Sequence, residues 1–235
     1  MAQIEERSYA EAMPARAERR SGGRWPLWGA AAGVLGIVGT IVTDVRPEGK
    51  GDGDSLVTAA DMEGLSRSGY HLGVVAGYLA VAALLVFAAA WRRSAERFLP
   101  ESVAARVVAN GLIASAGALM LGYGFKGAMA VYLPGGMDAD AYGDDGLFVY
   151  YVLNDFGAYY GWVGVSVAAV AMAWLALRER AISRWIGVLS IVAVLPPLTF
   201  LLVTGLPGFP GMVGGLWLTV ASLGLAWGKS PLAAR

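Results

Sequence analysis

Six long apolar blocks run through this chain, separated by polar segments of unequal length and charge. The blocks fall at 27–43, 71–91, 103–123, 156–177, 185–203 and 209–227. The third extends without a break in character to 132, and the fourth extends back to 147. Each is near the roughly 20 residues that an α-helix needs to cross a hydrocarbon core. The pattern predicts an all-α fold, a polytopic transmembrane bundle of six helices. No charge occurs between Arg184 and Lys229, a run long enough for two spans, and GLPGFPG at 205–211 supplies the turn between them. Pro196 and Pro197 fall inside the fifth block and are expected to kink it.

The polar segments orient the blocks. With the N-terminus in the cytoplasm, 14 of the 18 basic residues lie inside and 11 of the 18 acidic residues lie outside. Cytoplasmic segments carry the excess of Lys and Arg in membrane proteins. Six spans with both termini cytoplasmic satisfy every connection, whereas five or seven spans put an arginine-rich segment on the wrong side. The expected organisation is a cytoplasmic polar tail at 1–26, a six-helix transmembrane domain at 27–228 and a cytoplasmic tail at 229–235. The first tail does not have the form of a cleavable signal peptide. Outer loops are expected at 44–70 and 124–146, with a short surface helix near 55–65 capped by Ser55 or Thr58. The localisation expected is a bacterial cytoplasmic membrane, crossed several times.

Composition supports this class and removes several chemistries. Apolar residues make up 57% of the 235 and charged residues 15%, against about 25% charged in soluble domains. With no cysteine, disulfides, thiolate metal sites and a cysteine nucleophile are excluded. A single histidine argues against a multi-histidine zinc site and a bis-histidine haem. Nucleotide-binding and hydrolase motifs are missing, so no cofactor and no metal is expected. DADAYGDDG at 138–146 begins like a calcium loop, but Tyr142 and Val149 stand where ligands belong; it reads as a solvated acidic loop. The inner arginines are explained by topology, so nucleic acid is not expected as a partner.

Small residues recur at four-residue spacing as Gly29 and Gly33, Gly73 and Gly77, Gly157 and Gly161, and Gly224 and Gly228. Such pairs let helix backbones approach closely where lipid gives no hydrophobic drive. Packing within one chain is the expectation here, ahead of a dimer interface.

Polar groups in and beside the blocks gather toward the outer ends: Asp44, His71, Tyr123, Lys126, Asn154 and Asp155. An ionisable group at membrane depth is a functional hypothesis by default, because leaving it unpaired there is costly. In VYYVLNDFGAYYGW at 149–162, a helix puts Tyr151, Asp155, Tyr159 and Trp162 on one face. The functional reading is a ligand pocket of Asp155, Asn154, Tyr151, Tyr159, Trp162 and His71, with Lys126 as the ion-pair partner of Asp155. The plainer reading makes Asn154 or Asp155 a helix N-cap and the tyrosines an interfacial belt. Asn110 is expected in a helix–helix hydrogen bond.

Three function classes follow. The leading one is a binding or transport-type membrane protein with an outward-facing pocket for a small apolar or cationic ligand or a lipid. The second is an intramembrane enzyme acting on a lipid or isoprenoid, with Asp155 as acid or base and His71 or Tyr159 assisting. The third is a structural subunit whose outer loops dock a membrane-protein partner. In every case the lipid bilayer is itself a partner.

RERAISRWIGVLSIVAVLPPL at 178–198 places Arg184, Trp185, Gly187 and Leu189 as R-W-x-G-x-L at the start of a span. With the six-span layout, this resembles small six-span bacterial integral membrane proteins of unknown function. The resemblance implies no activity and no site residue. Arg184 and Trp185 have a structural reading as an inner-interface anchor.

Overall fold

A computed structural model describes residues 24–48, 56–62, 64–206, 208–228 and 232. The expected tail at 1–26 therefore lies almost wholly outside the described residues, as does most of 229–235. Helix α1, Leu27–Ile37, continues into a π-helical turn, Val38–Val42. Helix α2, Arg67–Trp91, ends in a second π turn, Arg92–Glu96. Then come α3, Val103–Tyr132, α4, Asp144–Tyr160, α5, Val163–Leu177, α6, Arg184–Thr204, and α7, Pro210–Trp227.

The fold is all-α, with five stretches long and apolar enough to cross a membrane and a shorter sixth, Leu27–Val42. That is the architecture of a multi-pass integral membrane protein. The surface agrees with it: Leu79, Val170, Val192 and Leu202 are among many large apolar side chains left exposed by the protein itself. An apolar exterior of this extent needs lipid around it.

Helices α4 and α5 together form the fourth span, Asp144–Leu177, bent between Tyr160 and Val163. Near the bend the Val165 amide donates to Ser115 Oγ of α3 at 2.8 Å instead of to its own helix. A side chain inserted into the backbone ladder is one of the identifiable causes of a helix bend. The long third and fourth spans shorten the connection expected at 124–146 to 133–143.

The bundle closes in sequence order. Each span packs on the next, and α7 returns to pack on α1. α6, with Pro196 and Pro197 inside it, is the least buried. Gly205 ends it at φ +72°, a left-handed conformation that glycine adopts without a Cβ clash, and Pro210 opens α7.

The expected glycine pairs pack within the chain. A Cβ on Gly29 or Gly33 would strike α7, one on Gly73 or Gly77 would strike Lys126 or Tyr123, and one on Gly157 or Gly161 would strike α3. Gly224 accommodates the Trp185 ring. Gly228 differs, meeting only the carbonyl of its own helix at Gly224 and the Ser183 side chain.

Two apolar clusters result. The main one fills the bundle around Trp91, Leu112, Leu119, Trp162 and Leu175. The second caps the end that carries the 133–143 connection, where Met62, Leu65 and Tyr70 pack on Met129, Leu133, Leu147 and Tyr151. The surface helix expected near 55–65 is a single 3-10 turn, Ala59–Asp61, with Thr58 as its N-cap. Thr58 N–H donates to Asp61 Oδ2 at 2.8 Å, and the turn sets Met62 fully into the second cluster. The arginine-rich end is simpler. Arg92 donates to Asn110 Oδ1 at 2.9 Å, so Asn110 does join two helices, on an exposed face.

Candidate functional site

Of the polar groups expected at one level, Asp44, Tyr123, Lys126 and Asp155 gather around the end of α1. The π turn is the reason. Widening the helix over Val38–Val42 shifts the carbonyls of its last turn out of register, and π turns of this kind occur mostly as local bulges inside α-helices. Lys126 of α3, 1% exposed, fills the space left opposite Gly73. Its Nζ donates to Gly39 O at 2.7 Å, Thr43 O at 3.0 Å and Thr43 Oγ1 at 3.2 Å. Three donors meet three oxygens, and a cation at a helix C-terminus is favoured by the helix dipole. Lys126 is therefore the side-chain cap of α1. The ion pair expected between Lys126 and Asp155 is not formed, because two carbonyls and the Thr43 hydroxyl at the end of the π turn take all three ammonium hydrogens.

One turn deeper, Thr40 Oγ1 lies 2.8 Å from the Tyr123 hydroxyl and accepts from Trp162 Nε1 at 3.2 Å. All three groups are buried. Trp162 fits against Gly36 and Gly214, and Tyr123 against Gly77, so two large rings enter the bundle only where α1, α2 and α7 present no side chain. This knot joins α1, α3 and the fourth span.

Above the lysine, Asp155 finds a different partner. Arg46, just beyond α1, donates from Nε to Asp44 Oδ2 at 3.1 Å and from Nη2 to Asp155 Oδ1 at 3.4 Å. The Tyr159 hydroxyl donates to the same Asp44 oxygen at 3.0 Å. Tyr70, fully buried, donates to Val45 O at 3.2 Å and thereby fixes the segment that carries both Asp44 and Arg46. Burial alone would lower the pKa of Arg46, but the neighbouring Asp44 and Asp155 carboxylates hold it above the ordinary guanidinium value.

The cluster is open rather than sealed. The side chains of Arg46 and Asp155 are 52% and 36% exposed, whereas that of Asp44 is 18% exposed. Asp155 sits well inside α4, which begins at Asp144, so neither it nor Asn154 is an N-cap. Asn154 is buried instead, and its Oδ1 has no hydrogen-bond partner among the described residues.

Of the residues expected to act together, Asp155, Tyr151 and Tyr159 gather around Asp44 and Arg46. Trp162 and Lys126 lie beneath them as structural members. His71 stands exposed at the start of α2, outside the network. Arg46 is the member that sequence reasoning missed. Its signal was local: an arginine two residues after Asp44, at the end of an apolar block. Tyr132, Tyr142 and Tyr150 form a separate ring cluster, with centroids 4.7, 5.5 and 5.8 Å apart, closed on itself.

Comparison with protein-family models, with curated proteins and with solved structures finds no match to this chain. The layout and the R-W-x-G-x-L stretch remain a resemblance without an identified family. Among the described residues no group of three or more His, Asp or Glu is placed to hold a metal.

Proposed function

We propose that this chain is a six-span protein of a bacterial cytoplasmic membrane, with both termini inside, that binds a small cationic ligand at the outer ends of its helices. The observation that carries the proposal is the bridging of Asp44 and Asp155 by the guanidinium of Arg46. Two carboxylates from distant parts of the chain share one cation, and that cation stands half in solvent. Arg46 then occupies the position that a ligand's ammonium or guanidinium group takes when it binds. Tyr151 and Tyr159 flank the position, and aromatic rings beside a desolvated cation add attraction. The orphaned Oδ1 of Asn154 is a spare acceptor next to Asp155 in the chain.

A binder is favoured over an enzyme. Catalysis by Asp155 as acid or base needs a second titratable group convergent on the same substrate atom. Asp44, the second carboxylate, is engaged by Arg46 and by the Tyr159 hydroxyl, and His71 lies exposed outside the cluster.

The test is thermal unfolding of the detergent-solubilised protein in a series of alkylammonium and alkylguanidinium salts, with sodium chloride as the ionic-strength control. A ligand that binds only the folded state raises the midpoint in proportion to RT ln(1 + [L]/Kd). One member of the series should stabilise the wild type. Arg46→Ala should respond at lower concentration, because the competing internal cation is gone, and Asp155→Asn should lose the response. Identical midpoints in every salt for all three proteins would end the proposal.

A further inference from the structure

An apolar groove of about 1080 Å³ lies at the other end of the bundle, where α3 begins and α5 ends. Val103 and Val107 form one wall, Val167, Val170 and Trp174 another, and Ile191 of α6 closes the side. At the helical rise of 1.5 Å per residue, the length from Val167 to the mouth is about 18 Å. That is close to half of a hydrocarbon core about 30 Å thick, so the groove has the depth of one leaflet.

The mouth is charged. Glu101, Arg178 and Glu179 line it together with Ser102. Ser102 Oγ donates to Glu179 Oε1 at 2.9 Å, which sets that carboxylate beside the start of α3. The Arg178 and Glu101 side chains are exposed, and neither has a hydrogen-bond or ion-pair partner among the described residues. Among the described residues, Arg178 therefore shares the mouth of an apolar slot with two carboxylates.

We propose that this groove is a binding site for phosphatidylethanolamine. Its acyl chain lies along α5, its phosphate pairs with Arg178, and its primary ammonium donates to Glu101 and Glu179. The mouth matches a zwitterion with both charges in reach. Phosphatidylglycerol brings a phosphate and hydroxyls but no cation to neutralise the two carboxylates. Phosphatidylcholine has the same charges as phosphatidylethanolamine, but its quaternary ammonium has no N–H to donate. The site is independent of the Asp44–Asp155 cluster, which lies at the opposite end.

The experiment is native mass spectrometry of the protein in mild detergent with an equimolar mixture of the three lipids. Phosphatidylethanolamine adducts should exceed each of the others several-fold. Glu101→Gln should reduce that excess several-fold and Arg178→Gln should reduce all three adducts several-fold, because all three lipids carry the phosphate; both are exposed positions that leave the packing intact. Their unfolding midpoints without lipid should stay at the wild-type value. Ala104→Phe, which fills the groove, should reduce all three adducts together. Equal adducts of the three lipids, a preference for phosphatidylglycerol, an unchanged preference in Glu101→Gln, or undiminished adducts in Arg178→Gln would each overturn the assignment.

Discussion

Lys126 reaches from α3 to the end of α1 and holds its ammonium nitrogen 2.7 Å from the carbonyl oxygen of Gly39. The contact exists because the π turn exposes that oxygen and because Gly73 leaves room for the lysine stem. It ties the shortest apolar helix of the bundle to its longest. Lys126→Met keeps the stem and removes the donors. The single Thr43 hydroxyl hydrogen lies within reach of both Val38 O and Gly39 O, so the clear loss is the donor to Thr43 O. A buried acceptor left unpaired costs about 1–3 kcal/mol, and that is the destabilisation expected in detergent unfolding. Lys126→Glu should be far worse, because it turns a carboxylate toward carbonyl oxygens.

The knot around Thr40 separates one hydrogen bond from two. Tyr123→Phe removes a hydroxyl, while Thr40 still accepts from Trp162. The expected cost is about 1 kcal/mol, the net worth of one such bond. Thr40→Val leaves both Trp162 Nε1 and the Tyr123 hydroxyl without their partner. It should cost about 2–3 kcal/mol on the same basis, although valine matches threonine in shape. Equal midpoints for the two variants would mean that the rings find other partners.

Glycines that look alike in sequence should respond differently to alanine. Gly77→Ala places a methyl group against the Tyr123 ring at 2.5 Å from Cδ1. The ring cannot withdraw without breaking its contact with Thr40, so overpacking should cost about 1–3 kcal/mol. Gly117→Ala, where a Cβ meets nothing within 4 Å, should be neutral or stabilising by up to about 1 kcal/mol. Parallel thermal unfolding of both variants decides the matter.

The helices were legible because length and apolarity alone specify a span, and GLPGFPG marked its turn through a left-handed Gly205 and a helix-opening Pro210. The face carrying Tyr151, Asp155 and Tyr159 was legible for the same reason, since helical periodicity is local. The partner of Asp155 was not. Lys126 and Arg46 are both cations near the level of Asp155, and only the three-dimensional path of the chain beyond α1 chooses between them. The π turn was equally hidden: VGTIV carries no residue that demands it, and it is answered by Lys126, more than eighty positions away. Met62 was hidden too, because a lone methionine in a polar loop gives no periodic signal of burial.

Asp155 should matter little to stability. Its contact with Arg46 is 3.4 Å long and both side chains are substantially exposed. Exposed ion pairs are worth about 0–1 kcal/mol, so Asp155→Asn should unfold within about 1 kcal/mol of the wild type. A larger loss would make the residue structural and weaken its candidacy as a ligand contact. A normal midpoint with a lost response to cations would separate the two roles.

The proposed sidedness of the bundle rests on charge and is open to direct measurement. The connection at 133–143 is acidic and carries Met137, 94% exposed, at the same end as the Asp44–Asp155 cluster. Arg97 lies exposed between the second and third spans, among the arginines that oppose translocation. The chain has no cysteine of its own, so a single introduced thiol reports one position. In intact bacterial cells, Met137→Cys should react with a membrane-impermeant maleimide, and Arg97→Cys should react only after permeabilisation. The reverse pattern would put the acidic face in the cytoplasm. The proposed cation site would then face metabolites within the cell instead of ligands arriving from outside.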